Sequence, residues 1–312
     1  MPRKFNTRQT SLRAVEPMPL MDLLLQKMGG MKRTSVKGLL SHRCVKVNGH
    51  VETRHDYALA PGDEVTITRG AERGELRHPK LSVVYEDDDI IVVEKKCGLL
   101  TVATNMNSRE TTAFALLKQY VRQSDPRGGV YVVHRLDRET SGLLVFARSR
   151  ETQEYMRENW RQIVTQRTYV AVVEGDAQNT ASERPAAIME REGEEFTITS
   201  WLTENPKSTV VRSSATDNGG KLAVTHFRII KSNGHHSLLE LHLDTGRTNQ
   251  IRVHAQAIGH PVVGDRKYGS GKTDTLDRLA LHARILEFKH PRTGQIMHFE
   301  TPVPRDMLAL FH

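Results

Sequence analysis

Only two cysteines, Cys44 and Cys97, occur in the 312 residues. Two thiols build neither a disulfide framework nor a four-thiolate zinc site. Long apolar runs are missing as well, and no stretch approaches the ~18 residues that a membrane-crossing helix needs. The opening MPRKFNTRQTSLRAVEP is basic and lacks an apolar core, so it does not fit a secretory signal. Aromatic residues make up only 5% of the chain, and no internal repeat or low-complexity segment is visible. The expectation is a cytoplasmic protein with no membrane partner, acting as a monomer.

Positive charge is what the chain has in excess. Its formal net charge is +8, and residues 1–80 hold fifteen Lys/Arg against eight Asp/Glu, a net of +7. Nearly all the excess therefore sits in the first quarter. A small basic module beside a near-neutral larger one suggests an anchor for a polyanion, usually nucleic acid, although basic surfaces also serve solubility. The length suits one large and one small domain, and 38% hydrophobic residues suffice for a sizeable core.

Residues 1–16 are polar, basic and aperiodic, and read as a disordered tail. Residues 17–69 are organised. Leu20, Leu23, Leu24 and Met28 share a helical face that Gly29–Gly30 ends. A second helix fits 34–41 with Thr34 as N-cap. Asn48–Gly49 between two apolar runs signals a hairpin, and Pro61, Gly62 and Asp63 turn the chain into a strand at 64–68. This module resembles the small S-four-type RNA-binding domain, which pairs two helices with a short sheet and sets basic residues on RNA. The resemblance nominates Lys32, Arg33, Lys37 and Arg43; a solvated helix face is the alternative for each.

Residues 70–81, opening GAERGELRHPK, read as a linker. Residues 82–312 alternate short β-rich runs (82–85, 90–93, 130–133, 143–147, 169–173, 238–243) with a few helices. The expected class is α+β, a mixed and largely antiparallel sheet with flanking helices, plus the small α/β N-terminal module.

Chemistry concentrates at 128–148, GGVYVVHRLDRETSGLLVFAR. VYVV and LLVFA read as two buried central strands, and the charged loop HRLDRETSG lies between them. Asp137 is at its middle, Thr140 and Ser141 supply local hydrogen-bonding groups, and Gly142 relaxes the turn. Read alone, Asp137 is a loop buttress, a metal ligand without partners, or a nucleophile; spacing does not choose between the first and last.

The pattern His134–Arg135–Leu136–Asp137 with Thr140–Ser141–Gly142 resembles the HRLDxxTSG motif of the RluA-type pseudouridine synthases. VVYEDDDIIVVEKKCGLL, TYVAVVEG, TGRTNQIRVHAQAIGHPVVGDRKYG and LALHA resemble further blocks of that family in the same order. Together the matches span roughly residues 82–305. The resemblance implies an enzyme that breaks the N1–C1′ bond of a uridine, turns the base and joins C5 to C1′. Nothing is oxidised and no donor is consumed, so no cofactor is expected. The implied partner is RNA, with ribosomal RNA of the large subunit favoured over transfer RNA.

By the same resemblance Asp137 is the nucleophile, Tyr169 gives the loose base a flat face, and Arg252 pairs with Asp137. A carboxylate drawn out of water needs such a cation to stay charged. Ile251, Ala255 and Ile258 fall at helical spacing before Gly259–His260–Pro261, which places Arg252 in a first helical turn. Arg135 is set to fill the space left by a flipped uridine. Arg247 suits a substrate phosphate, and His134, Thr140 and Ile251 complete the expected substrate contacts.

Three positions depart from the family pattern. Asn249 replaces a His, Lys96 a Pro, and Arg167 the usual Lys two residues before the tyrosine. Asn249 keeps hydrogen bonding but cannot carry a proton. The fifteen histidines show no zinc spacing, and no metal is expected. Trp160 and Met156 read as core, and the acidic run 86–89 as a solvated loop. A non-catalytic RNA-binding protein on the same fold is the competing reading, and a glycoside hydrolase would need a second acid that the loop offers only as Glu139.

Overall fold

The computed structural model describes residues 8–28, 33–41, 44–69, 76–103, 110–125, 128–178, 186–205, 208, 210–270 and 276–312. The chain divides into two compact units, one of Met1–Leu76 with Leu117–Gly129, the other of Arg77–Leu116 with Val130–His312.

In the first unit β1 (Arg8–Arg13) and β2 (Met18–Pro19) lead into α1 (Leu20–Lys27) and α2 (Arg33–Ser41). β3 (Val45–Val47), β4 (His50–Val51), β5 (Ala58–Leu59) and β6 (Glu64–Arg69) follow. Asn48 (φ 49°) and Gly49 (φ 83°) both take the left-handed turn that joins β3 to β4, as that pair of residues favours. Leu20, Leu23 and Leu24 of α1 pack with Val36, Leu40, Val45, Val65 and Ile67 in one core. The helical face read from the sequence is therefore the buried one. Two expectations are corrected. α2 includes Arg33, so Thr34 lies inside the helix and not at the position before it. Residues 8–13 are not part of a disordered tail but pair antiparallel with β6 along their whole length. A strand earns most of its stability from its partner, which a polar sequence does not reveal.

The second unit is built on one sheet. Its strands are β7 (Leu81–Glu86), β8 (Ile90–Lys95), β9 (Tyr131–Val132), β10 (Ser141–Ala147), β11 (Val164–Glu174), β12 (Ile188–Glu192), β13 (Glu195–Glu204), β14 (Val211–Ser214), β15 (Lys221–Ser232), β16 (His236–Leu243), β17 (Leu281–Lys289) and β18 (Ile296–Glu300). Their order is β12-β13-β15-β16-β11-β17-β10-β8-β7, with β14, β18 and β9 beside β13, β17 and β10. β10 and β17 run parallel, and the other pairs are antiparallel. Of α3 (Ala113–Ser124) only the residues before Leu117 belong to this unit, and its own helices are α4 (Arg150–Glu158), α5 (Trp160–Ile163), α6 (Gln250–Ala257) and α7 (Arg305–Leu308). The mixed, largely antiparallel α+β sheet read from the sequence is observed.

β10 is buried at every residue, as its apolar run requires of a strand covered on both faces. VYVV is different: β9 is only two residues long, half-buried, and pairs with the far end of β10. The apolar residues on either side of it, Val130 and Val133, are buried without strand pairing. The acidic run 86–89 is also no free loop. Asp87 Oδ1 accepts the amides of Asp89 and Ile90, and its Oδ2 accepts from the Tyr85 hydroxyl and His290.

Candidate active site

The Asp137 loop is held by backbone and side-chain clamps within the second unit. The Thr101 hydroxyl donates to the Leu136 carbonyl (2.7 Å) and accepts the Leu136 amide (3.2 Å). The Gly98 amide donates to the Arg138 carbonyl at 2.9 Å. Lys95, at the end of β8, is fully buried, and its ammonium donates to the carbonyls of Leu99 (2.9 Å), Arg138 (3.0 Å) and Lys96 (3.3 Å). Burial pushes Lys95 down to about 8, opposed by the nearby carboxylates of Glu139 and Asp137. Asp137 is thus bracketed by Leu136 and Arg138, both fixed from the 95–101 segment. Where the family has Pro, the Lys96 amide donates to the Lys80 carbonyl at 2.9 Å, a bond that a proline lacks.

Downstream, Gly142 pairs with Ala283 of the parallel strand β17 and has φ 117°. A Cβ at Gly142 would lie 2.2 Å from the Ala283 carbonyl oxygen, so only glycine lets the two strands meet there. Just before it, Ser141 Oγ contacts His282 Nδ1 at 2.8 Å, and His282 Nε2 meets Thr301 Oγ1 at 2.9 Å. Burial lowers His282 to about 4, so this bridge between β10 and β17 uses a neutral imidazole.

α6 supplies the cation. Gln250 donates to the Val224 carbonyl and Thr225 hydroxyl, and His254 bridges Ser200 and Thr225, pinning α6 to β13 and β15. Arg252 then projects toward the loop, with Nη1 3.9 Å from Asp137 Oδ2. Its opposite edge is bidentate on the fully buried Asp265 carboxylate, both contacts at 2.7 Å. Nη1 also donates to Asn249 Oδ1 at 2.8 Å, and the guanidinium lies 5.0 Å from the Tyr268 ring centroid. Burial acts to lower Arg252, but the Asp265 pair and the Asp137 charge hold it above its ordinary value. Asp265 opposes its own burial with Arg252 and the amides of Lys267 and Tyr268, which keep it below the usual carboxylate range.

Asn249 stands at φ 54°, in the left-handed region that asparagine tolerates better than most residues. As the N-cap of α6 it makes no side-chain cap bond; its amide instead serves Arg252 and the Tyr268 hydroxyl.

Tyr169 lies on β11, in one row across the sheet with Leu241, Ala283 and, through Ala283, Gly142. At ~4.8 Å per strand its Cα stands about 10 Å from that of Gly142. The ring is buried, and its hydroxyl accepts from Arg167 Nη2 at 2.8 Å. His134 serves the scaffold: Nε2 accepts the Val145 amide at 3.2 Å and the ring lies 4.7 Å from Trp160. Burial, then the Arg167 charge, depresses it to about 3, so the imidazole is neutral.

Thr140 is buried and its amide closes a turn on the Asp137 carbonyl. Ile251 is buried in α6, Arg135 is exposed, and Arg247 Nε donates to the Leu222 carbonyl. Structure therefore brings Asp137 and Arg252 together and leaves Arg135 on the surface. In the first unit Arg33 and Lys37 are exposed on α2, while Lys32 and Arg43 lie outside the described residues. Sequence reasoning missed Asp265, Lys95 and Thr101. The available signals were Asp265 between two glycines of the GDRKYG block, and a lysine closing an apolar strand.

Among the described residues, Asp87, Asp89 and His290 are the one group spaced to hold a metal ion. Their atoms are already engaged with Tyr85, backbone amides, one another and Arg292. None of these is a residue of the Asp137 loop.

Residues 89–257 match the model of the family described as RNA pseudouridylate synthase. A Bacillus subtilis protein called an uncharacterized RNA pseudouridine synthase is 34% identical over 285 residues, 89% of this chain and 88% of its own. Ribosomal large subunit pseudouridine synthase D of Nitrosomonas europaea is 33% identical over 300 residues, 92% of this chain and 81% of its own. Among solved structures, human RNA pseudouridylate synthase domain containing 1 superposes with a TM-score of 0.54 at 26% identity, over 74% of this chain and 86% of that one.

Proposed function

The chain belongs to the RNA pseudouridylate synthases, isomerases that act on RNA, and on that premise we propose that it modifies uridine in ribosomal RNA of the large subunit with Asp137 as nucleophile. The observation that carries the residue assignment is the Arg252 guanidinium, fixed from behind by Asp265 and presented 3.9 Å from Asp137. A half-buried carboxylate beside a cation that cannot turn away is suited to attack carbon while charged. The other contents of the site support the same reading. Tyr169 offers an aromatic face on which a detached uracil stacks without being locked in plane. Arg135, exposed two residues before Asp137, suits the space left when the uridine flips out. Breaking N1–C1′ and forming C5–C1′ leaves one proton to depart from C5 and one to be gained at N1, so the RNA gains and loses no atoms.

The rRNA assignment draws on the names of relatives from Nitrosomonas europaea and Escherichia coli, each a ribosomal large subunit pseudouridine synthase D. The N-terminal unit is proposed as an S-four-type RNA anchor, supported by its two helices with a short sheet, the exposed Arg33 and Lys37, and the +7 carried by residues 1–80. A purified-enzyme assay tests this reading. Transcripts of large-subunit rRNA and of transfer RNAs are incubated with the full chain, and pseudouridine is mapped by chemical labelling and primer extension. Modification of the rRNA at one or a few positions supports it; modification of transfer RNA alone moves the enzyme to the other substrate class.

A further inference from the structure

We propose that Arg167 is the positioning residue for Tyr169, and that with Trp160 and His134 it forms a stack tying the Asp137 loop to the strand bearing the tyrosine. The inference rests on the assignment of Tyr169 to the site.

The contacts run in an unbroken line. His134, three residues before Asp137, lies with its ring centroid 4.7 Å from that of Trp160 on α5, tilted by 37°. The Arg167 guanidinium carbon is 5.8 Å from the Trp160 centroid and 5.7 Å from the Tyr169 centroid. Its Nη2 donates to the Tyr169 hydroxyl at 2.8 Å. The other end of the guanidinium faces the turn before α6, where a Cβ on Gly246 would stand 3.6 Å from Nη1. Among the described residues Arg167 has no carboxylate partner. A guanidinium within cation–π range of both rings is attracted to each, and its Nη2 bond holds the phenol oxygen. The neutral state of His134 fits the line, because a second cation at the far side of Trp160 would repel Arg167.

Lysine, the family's usual residue here, is a point charge on a flexible stem. It can reach a hydroxyl but cannot offer a flat face to two rings at once. Arg167 and Trp160 therefore work as a pair. Because Tyr169 accepts from Arg167, its own hydroxyl proton is free to point elsewhere, and the ring is held against rotation as the base detaches and turns.

The test is a double-mutant cycle in the full chain, with single-turnover rates and steady-state KM measured on the substrate RNA, for Arg167→Gln, Tyr169→Phe and their combination. Arg167→Gln is expected to lower the rate about 10- to 100-fold with little change in KM, the scale of a misplaced group at a reacting centre. In the Tyr169→Phe background, which lacks the accepting oxygen, the same change is expected to cost less than about twofold. Arg167→Lys should recover part of the loss, and Trp160→Leu should lower the rate in the same direction. Additive losses, or an Arg167→Gln effect confined to KM, would overturn the proposal and make Arg167 a direct RNA contact. If Tyr169→Phe and Tyr169→Leu both keep the wild-type rate, the tyrosine assignment itself falls, a result the cycle reads separately.

Discussion

At the scale of single residues, the pair that matters most beside Asp137 is Arg252 with Asp265. Asp265 is fully buried and bidentate, and Arg252 is only 10% exposed at its side chain. Removing one partner of such a pair leaves an uncompensated buried charge, at a cost of about 3–5 kcal/mol. Asp265→Asn is therefore expected to lower the urea midpoint sharply and to cut the rate, because the guanidinium loses the contact that aims it. Asn249→Ala removes one neutral acceptor from Nη1, a bond to a charged group worth about 1.5–3 kcal/mol, and adds about 1 kcal/mol of strain at φ 54°. It leaves Asp265 to aim the guanidinium, so the rate loss should stay under about tenfold. A rate loss for Asn249→Ala as large as that for Asp265→Asn would contradict this ranking. Lys95 belongs to the same scale. Lys95→Met keeps the stem but takes the ammonium donor from the buried Leu99 carbonyl and from the half-buried Lys96 and Arg138 carbonyls, of which Arg138 keeps the Gly98 amide. Both stability and rate are therefore expected to fall, measured by denaturant unfolding and single turnover.

At the scale of elements, the site depends on β10 meeting β17 in parallel and on α6 lying flat on β13 and β15. Gly142→Ala is expected to destabilise the protein by several kcal/mol, because both its φ of 117° and the 2.2 Å approach to Ala283 forbid a side chain. The buried His254 and His282 that pin these elements are both depressed to about 4 by burial. A histidine kept neutral in the fold takes up a proton more readily when unfolded, so its contribution is present above about pH 6.5 and is lost as the pH falls toward 4. Urea midpoints should decline from pH 7 to pH 5, and His254→Gln should flatten the slope. A midpoint that does not change over that range would contradict the neutral assignment.

These elements also show what the sequence makes legible. β10 could be read because seven consecutive residues are compatible with full burial, and α6 because its apolar spacing ends at a Gly–His–Pro stop. β1 and the shortness of β9 could not, since strand length depends on partners distant in sequence. The Asp137 loop was found through its motif, yet the groups that clamp it, Lys95 and Thr101, and Asp265, which holds its cation Arg252, come from segments 35 or more residues away from the loop. Periodicity carries no record of such contacts.

At the scale of the whole molecule, charge is divided unevenly: residues 1–80 carry +7 of the +8. If that segment grips the RNA backbone, binding weakens steeply with salt, and deletion of residues 1–70 should reduce both affinity and the salt slope while leaving the single-turnover rate at saturating RNA within a few-fold. Unchanged affinity at moderate salt would contradict the anchor role. The most direct test of the central claim is a transcriptome-wide pseudouridine map of cells whose only copy carries Asp137→Asn, compared with wild type. Asparagine keeps the shape of the side chain without its charge. The expected result is loss of one or a few pseudouridines in large-subunit rRNA and no other change; a map identical to that of wild type would contradict Asp137 as the nucleophile.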